Sequence, residues 1–553
     1  MKKHIWIYIV CAAMLGACKK ELNVGNPNSP SIATNVTDES GIISLATGGI
    51  YINGFNKGDG WLGNSYFSLP YGYSELLGDM VGNLGASNQL ISQVNVPYFY
   101  ILDDGTKVTN SSFNQTTLRL NNTRAQTGAG YNPTYYQWLN MYAMIYSCNQ
   151  VLSLIPTIKL SGDSTTKANT LKAWCYWWKG YAYASIGTLY YSGLIINTVD
   201  EKSNHYVIKD SILEQSNNYF NQAAAILSSI NGGSDYTSVL GALIPAFCQV
   251  GNGGVLTPQM WIRNINTMLA RNILLNKLAP FVNGDPAATI QGASISPMTA
   301  ADWQSVLTLA GNGIQNGDYV FTGRASSASG FFTASGGTVS ALATGPNGST
   351  TFKVSERFIQ YFKSGDARKD NNFNTKTKYN ADFVSTRYSM ISGGNGASGV
   401  YVYGDKTPGN YELFIAGSYE ENALMLAEAN IQLGNTDVGL GYVDAVRAYQ
   451  GAGIAAVAGT GLNKSAALQE LVSERRVALA FRGLSYYDIR RWGWTYDIAK
   501  GGGSYHNITS IGSTLNTNVT INYNFIDYWD IPADETDLNP PGTGSAPVKN
   551  PNF

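Results

Sequence analysis

Apolar positions recur along most of this chain with the spacing of an α-helix. Over 135–156, Tyr136, Leu139, Ala143, Tyr146 and Leu152 fall near one face and the pattern stops at Pro156, which predicts a helix. Leu171, Trp174, Cys175, Trp178, Ala182 and Leu189 predict a second over 168–191. Ser211 and Glu214 have capping-box spacing ahead of Phe220, Ala224 and Leu227. Ile262, Ile265, Leu269 and Ile273 mark another helix before Pro280. Trp303, Leu307, Ala310 and Ile314 mark one more, frayed by Gly313 and Gly317. Residues 419–433 read as a strong helix with Gly434 as its C-cap. A partner over Val438–Tyr449 and a long helix from Ser465 to Phe481 follow. Such pairs suggest tetratricopeptide-like stacking, without that repeat's strict period.

The period drops to two at 518–525, where Val519, Ile521, Tyr523 and Phe525 alternate with Asn518, Thr520, Asn522 and Asn524. Tyr401–Tyr403 reads as another short strand. Ala325–Phe352, which holds no charged residue, and Ser389–Gly404 read as long loops. The expected fold is mainly α: a tetratricopeptide-like helix-pair scaffold with long loops and a few short β-strands.

The first residues follow a different logic. Lys2 and Lys3 precede an apolar run from Ile5 to Leu15, about half of the roughly 20 residues a membrane span needs. That is the form of a signal peptide. It closes on Leu15-Gly16-Ala17-Cys18, which resembles the lipobox of bacterial lipoproteins and implies cleavage after residue 17 and lipidation of Cys18. The acyl chains would hold the protein on a membrane. The expected organisation is a signal peptide (1–17), a lipidated Cys and tether (18–36) and one helical domain (37–553). Within that domain, 37–320 would carry the N-terminal helices with ligand-site loops and 410–553 the C-terminal helices.

Charge narrows the partners. The 553 residues include 36 basic and 37 acidic ones, and the charged fraction is 13%, against a norm of roughly 25%. No basic face for nucleic acid is available, and apolar content is ample for a core. A surface polar through Asn, Ser, Thr and Tyr suits neutral ligands. Setting aside Cys11 and Cys18 leaves Cys148, Cys175 and Cys248, an odd number without CxxC spacing, so neither a disulfide framework nor a zinc site is expected. His205 and His506 lack a second His at i+4. Gly394–Gly399 matches GxGxxG, yet Val-Tyr-Val-Tyr follows instead of a helix and the dinucleotide reading fails. No catalytic residue, metal or cofactor is assigned.

Residues 474–492, Glu-Arg-Arg-Val-Ala-Leu-Ala-Phe-Arg-Gly-Leu-Ser-Tyr-Tyr-Asp-Ile-Arg-Arg-Trp, closely resemble the signature of the SusD/RagB family, the outer-membrane nutrient-binding lipoproteins of Bacteroidetes. Tyr419–Glu428 with Leu433-Gly434-Asn435, Val443–Arg447, Ile531–Pro540 and the closing Asn550-Pro551 resemble further elements of that family in order. Ala478 and Arg482 stand where the family commonly has glutamates, and Leu426 where it often has Arg. Arg475, Arg476, Arg490 and Arg491, beside Glu474 and Asp488, are expected to form an ion-pair lattice and not a ligand site. The resemblance implies a SusD-like fold and no enzymatic activity. It also implies a lipid-anchored place on the outer membrane, facing the exterior. There the protein would act as a lid on a SusC-like TonB-dependent transporter, passing on an oligosaccharide.

Residues 51–100 hold ten aromatics and only four charges, Lys57, Asp59, Glu75 and Asp79. A sugar ring needs an aromatic plane for its C–H face and neutral amides for its hydroxyls, which desolvate more cheaply than charges. In the family, loops after the first helices and a mid-chain loop form the ligand site. The candidates are therefore Trp61, Tyr66, Tyr73, Asp79, Asn83, Asn88, Tyr98 and Tyr100, joined by Trp303 and Phe331. The expected ligand is a neutral oligosaccharide. A peptide-capturing lipoprotein of the same family is the alternative. A surface glycoside hydrolase and a protein-binding scaffold lack supporting motifs.

Overall fold

A computed structural model of the chain describes residues 36–51, 74–83, 97–110, 133–280, 289–323, 352–375, 385–391, 393–404, 409–410, 413–511 and 514–553. Helices dominate it. After α1 (Glu39–Ala46) come α2 (Pro133–Leu154), α3 (Ser164–Leu189), α4 (Lys209–Leu227), α5 (Ser234–Leu243), α6 (Pro258–Leu275) and α7 (Ala300–Gly311). Two short ones, α8 (Glu356–Ile359) and α9 (Ala367–Asn372), lead to α10 (Tyr419–Gln432), α11 (Thr436–Tyr449), α12 (Lys464–Ala478), α13 (Ser485–Arg491) and α14 (Ala533–Leu538). Sequence neighbours pack as pairs, α2 on α3, α3 on α4 and α10 on α11. Between them run β1 (Val81–Asn83), β2 (Phe99–Ile101), β3 (Lys107–Thr109), β4 (Ser192–Gly193), β5 (Val207–Ile208), β6 (Thr322–Gly323), β7 (Phe352–Val354), β8 (Phe373–Thr375), β9 (Tyr388–Met390) and β10 (Leu413–Phe414). The longer hairpin of β11 (Ser504–Ile511) and β12 (Thr514–Asn522) joins β2 and β3 in an antiparallel sheet of order β11-β12-β2-β3.

The core centres on α3, 18 of whose 26 residues are buried. Its Trp174, Trp177 and Trp178 meet Trp261 of α6, Phe321 and Tyr51 in one aromatic cluster, with Trp177 and Phe321 ring centres 4.5 Å apart. Asp163 caps α3 by accepting the Thr166 N–H at 3.0 Å, one of the orphan donors of a helix start. Gly434, at φ +94°, ends α10 where the sequence placed its cap.

Three expectations fail locally. On α2 the buried stripe is Trp138, Met141, Ile145, Cys148 and Val151, while Tyr146 of the predicted face is 47% exposed. Periodicity fits both stripes, and the larger Trp138 decides between them by packing against Tyr190. Ser211 and Glu214 do not cap α4, which begins two residues earlier. There β5 pairs with β4, and the Lys209 N–H donates to the Tyr191 carbonyl. Tyr401–Tyr403 is no strand; it lies as a loop whose Tyr403 hydroxyl donates to the Val477 carbonyl at 2.8 Å.

The C-terminal half is locked by buried charge. Arg475 donates to both oxygens of Asp488, and Arg491 joins Asp488 to Glu428 at 2.8 and 2.6 Å. Arg368 holds Asp366 and Glu474 together, and Glu474 takes Arg447 as well. Arg482 pairs with Glu420 at 2.7 Å, which accounts for a cation at this departure from the family pattern. Arg490 instead donates to the carbonyls of Thr188, Leu275 and Asp527. The chain end is tied to the same body. Asn550 donates to Asp527 and the Tyr528 carbonyl, and Glu535 accepts from Trp138 of α2.

One carboxylate comes from far upstream. Phe481 has φ +61°, an unfavourable backbone for a bulky residue, and Glu75 compensates it. The Glu75 carboxylate accepts from the N–H groups of Phe481 and Gly483 and from the Ser485 hydroxyl at 2.8–3.0 Å. Burial pushes this carboxyl up to about 7, outweighing the pull of Ser485, Phe481, Gly483 and the Arg476 charge. The folded state thus holds its proton more tightly than the unfolded chain, whose ordinary value is 4.5. The contribution is whole below that value and is lost as pH rises through about 7. In Glu75→Gln the urea midpoint should lose this decline; unchanged slopes between wild type and variant would assign it elsewhere.

Candidate ligand-binding site

Residues flanking the aromatic segments pair with one another, and these pairings make up the base of the candidate site. Tyr51, the last described residue before 52–73, donates its hydroxyl to the carbonyl of Thr322, which opens β6 ahead of 324–351. Strand β1, which ends at Asn83 ahead of 84–96, pairs antiparallel with β7, which begins at Phe352 after 324–351. The chain resumes at 97, where the Tyr98 N–H donates to the Asn522 carbonyl of β12 at 2.8 Å.

Asp79 fastens this base. It sits at φ +56° just before β1 and is 2% exposed. Its carboxylate accepts from Arg357 Nη2 at 2.6 Å and from Arg357 Nε, from Ser355 at 3.1 Å and from the Tyr523 hydroxyl at 2.6 Å. Burial works against the charge on Arg357, and Asp79 outweighs it, holding the guanidinium well above its ordinary value. Burial first, then the Asp79 charge, push the Tyr523 hydroxyl far up, so it remains a donor. The Ser355 N–H adds a bond to the Met80 carbonyl at 3.0 Å. Strand β1, helix α8 and the end of β12 thereby share one buried charged centre.

The sequence candidates separate on this frame. Asp79 positions the base from within. Tyr100 is fully buried, 5.6 Å below the Arg357 guanidinium, and Trp303 is packed with Val306, Met425 and Leu426 in the interior. Aromatic content over 51–100 and around 303 is therefore partly core, and these three side chains have no surface from which to meet a ligand. Tyr98 is half-buried, edge-on to Phe99 with Lys107 6.0 Å from its ring, and keeps an open side. Asn83 lies in β1. Trp61, Tyr66, Tyr73, Asn88, Phe331 and Cys18 lie outside the described residues, as do the signal peptide and tether. Arg357 and Tyr523 were missed, because a partner 278 or 444 residues away leaves no local pattern. Among the described residues no group of three or more His, Cys, Asp or Glu could hold a metal ion, and no helix is long and apolar enough to cross a membrane.

A model of the SusD family matches residues 419–549. Solved structures share the fold over most of the chain. A SusD-like carbohydrate binding protein from Bacteroides vulgatus is 16% identical, covers 92% of this chain and 98% of its own, and superposes with a TM-score of 0.51. A SusD-like protein from Bacteroides fragilis is 13% identical, with 91% and 96% covered and a TM-score of 0.52. A SusD superfamily protein from B. vulgatus gives 14%, 82%, 87% and 0.50. No curated protein matches the chain.

Replacing Asp79 with Asn should leave Arg357 buried without a countercharge, a change that costs roughly 3–5 kcal/mol. Urea unfolding should show that loss, and hydrogen exchange should accelerate at the paired amides of β1 and β7. Unchanged exchange there would deny Asp79 its fastening role.

Proposed function

We propose, from the SusD family model that matches residues 419–549 and from the shared fold, that this chain is a SusD-like surface lipoprotein that captures neutral oligosaccharide. Anchored through Cys18 on the outer membrane and facing the exterior, it delivers the ligand as a lid to a SusC-like TonB-dependent transporter. No bond is broken in this role. Binding energy comes from aromatic faces and neutral amides, and the gate does the rest.

The observation that supports the reading most directly is the common base. Tyr51, just before the stretch with Trp61, Tyr66 and Tyr73, bonds to Thr322, close before the stretch with Phe331, and Phe352, just after the latter, lies opposite Asn83, just before 84–96. Described residues that border sequence-distant segments are therefore in contact, and Tyr98 lies just before β2. A buried ion pair under this base fits a binding rim that must be rigid at its root.

Calorimetric titration of the form starting at Lys19 against neutral oligosaccharides and short peptides, with product analysis, tests this. Saturable glycan binding without cleavage is expected, weakened about three- to tenfold by Trp61→Ala or Tyr98→Ala, the worth of one aromatic contact. Binding of peptides alone would move the ligand class, cleavage would make the protein an enzyme, and silence would leave a protein-binding scaffold. Separately, Cys18→Ala should abolish metabolic labelling by palmitate and release the protein from membranes; retention of both would refute the lipid anchor.

A further inference from the structure

A cleft of about 230 Å³ opens on another part of the molecule, between α12 and the start of β11. Tyr361, Trp494 and Tyr505 are among its rings, and Gln469, Ser473 and His506 among its polar groups. Among the described residues no Asp, Glu, Lys or Arg side chain lines it, although another face of α12 carries the ion-pair lattice. Gln469 and Ser473 lie one helical turn apart and so share a face.

Two features show the cleft to be built, and they are independent. The first is the rigid wall. Tyr361 and Trp494 are near-parallel, 15° apart in plane with ring centres 6.4 Å apart. The Arg476 guanidinium sits 5.3 and 6.0 Å from those centres and is itself pinned to the Gly78 carbonyl at 2.6 Å. Both rings are therefore fixed before any ligand arrives.

The second is a β-bulge. Ser504 pairs with Ile521 and Asn507 with Val519, so β11 takes one more residue than β12 over this stretch. In a regular strand Tyr505 and His506 would point to opposite faces. Here both are exposed, between buried Ser504 and Asn507. The bulge costs His506 a left-handed backbone, φ +58°, a conformation that persists only where surroundings enforce it. Asn518, whose own N–H donates to Asp103 at 2.8 Å, places its Oδ1 2.8 Å from His506 Nδ1. That contact takes the Nδ1 proton of the neutral ring and leaves Nε2 as a hydrogen-bond acceptor.

We propose that this cleft binds a single pyranose ring of a neutral glycan. The C–H face of the sugar rests on the rings of Trp494 and Tyr505, and its hydroxyls reach Gln469, Ser473 and His506 Nε2. The volume lies below the roughly 300–1,000 Å³ of sites for larger ligands and suits one ring. A neutral ring needs no countercharge from such a lining, and an apolar ligand would strand its polar groups. The inference rests on the glycan reading for the class of ligand, but none of its residues belongs to the rim around Tyr51, Asn83 and Tyr98.

The test uses the full chain labelled with 5-fluorotryptophan, in a zwitterionic detergent lacking a sugar headgroup. The Trp494 fluorine signal is assigned by its loss in Trp494→Phe. Methyl β-D-glucopyranoside and methyl β-D-galactopyranoside are the probes. Saturable movement of that signal with at least one of them is expected. Tyr505→Ala should raise the midpoint about three- to tenfold, as loss of one aromatic face does. His506→Gly should raise it too, while its melting temperature stays level or rises, because glycine relieves the left-handed backbone. A structural role alone would not split those two readouts. A Trp494 signal unmoved up to the solubility of both probes overturns the proposal, as does wild-type binding in both variants. Oligosaccharide binding that depends on Trp61 with Trp494 silent sinks the cleft and spares the proposed function. A Trp494 response without Trp61-dependent binding keeps the cleft and sinks the rim.

Discussion

Buried guanidinium–carboxylate pairing is the constraint on which the rest of this structure depends. In a protein with so few charges, Arg357, Arg368, Arg475, Arg482 and Arg491 are all enclosed and all paired with carboxylates. Each pair gains little over an apolar substitute, because desolvation offsets attraction, yet losing one partner is severe. Apolar contacts tolerate sliding; a bidentate fork does not. The pairs therefore fix how α10, α12 and α13 sit and, through Asp79 and Glu75, where the N-terminal segments attach.

Much of the helical scaffold was legible because it rests on local pattern. The periodicity from Leu171 to Leu189 and the Gly after α10 gave correct elements. On α2 the same reasoning chose the wrong face, since two stripes satisfied the spacing and only the tertiary partner Tyr190 distinguishes them. At α4 a local capping signal lost to strand pairing with β4. The hairpin of β11 and β12 showed only half of itself, because bulges on both strands break the alternation that would have revealed β11.

The site was legible as composition and not as geometry. Aromatic enrichment does not say which ring is floor and which is face: Tyr100 and Trp303 became core, whereas Tyr98, two residues from Tyr100, kept an open side. Trp494, Tyr505 and His506 share no local sequence pattern, because only the bulge leaves Tyr505 and His506 both exposed beside Trp494. The signature arginines, by contrast, were readable as scaffold, since clustered Arg with interspersed carboxylates has an economical buried arrangement.

The span of these pairs also sets an order of events during synthesis. Glu75 precedes Phe481 by 406 positions and Asp79 precedes Arg357 by 278. A chain made from its N-terminus therefore carries these carboxylates hydrated and ionised long before their partners exist. Their hydration opposes premature collapse of the segment around them, since closing without Arg357 for Asp79 and the Phe481–Ser485 donors for Glu75 would strand a charge in an apolar interior. The late C-terminal region then acts as the keystone, since a chain cut short before residue 475 would hold Arg357 for Asp79 but lack every donor to Glu75 described above.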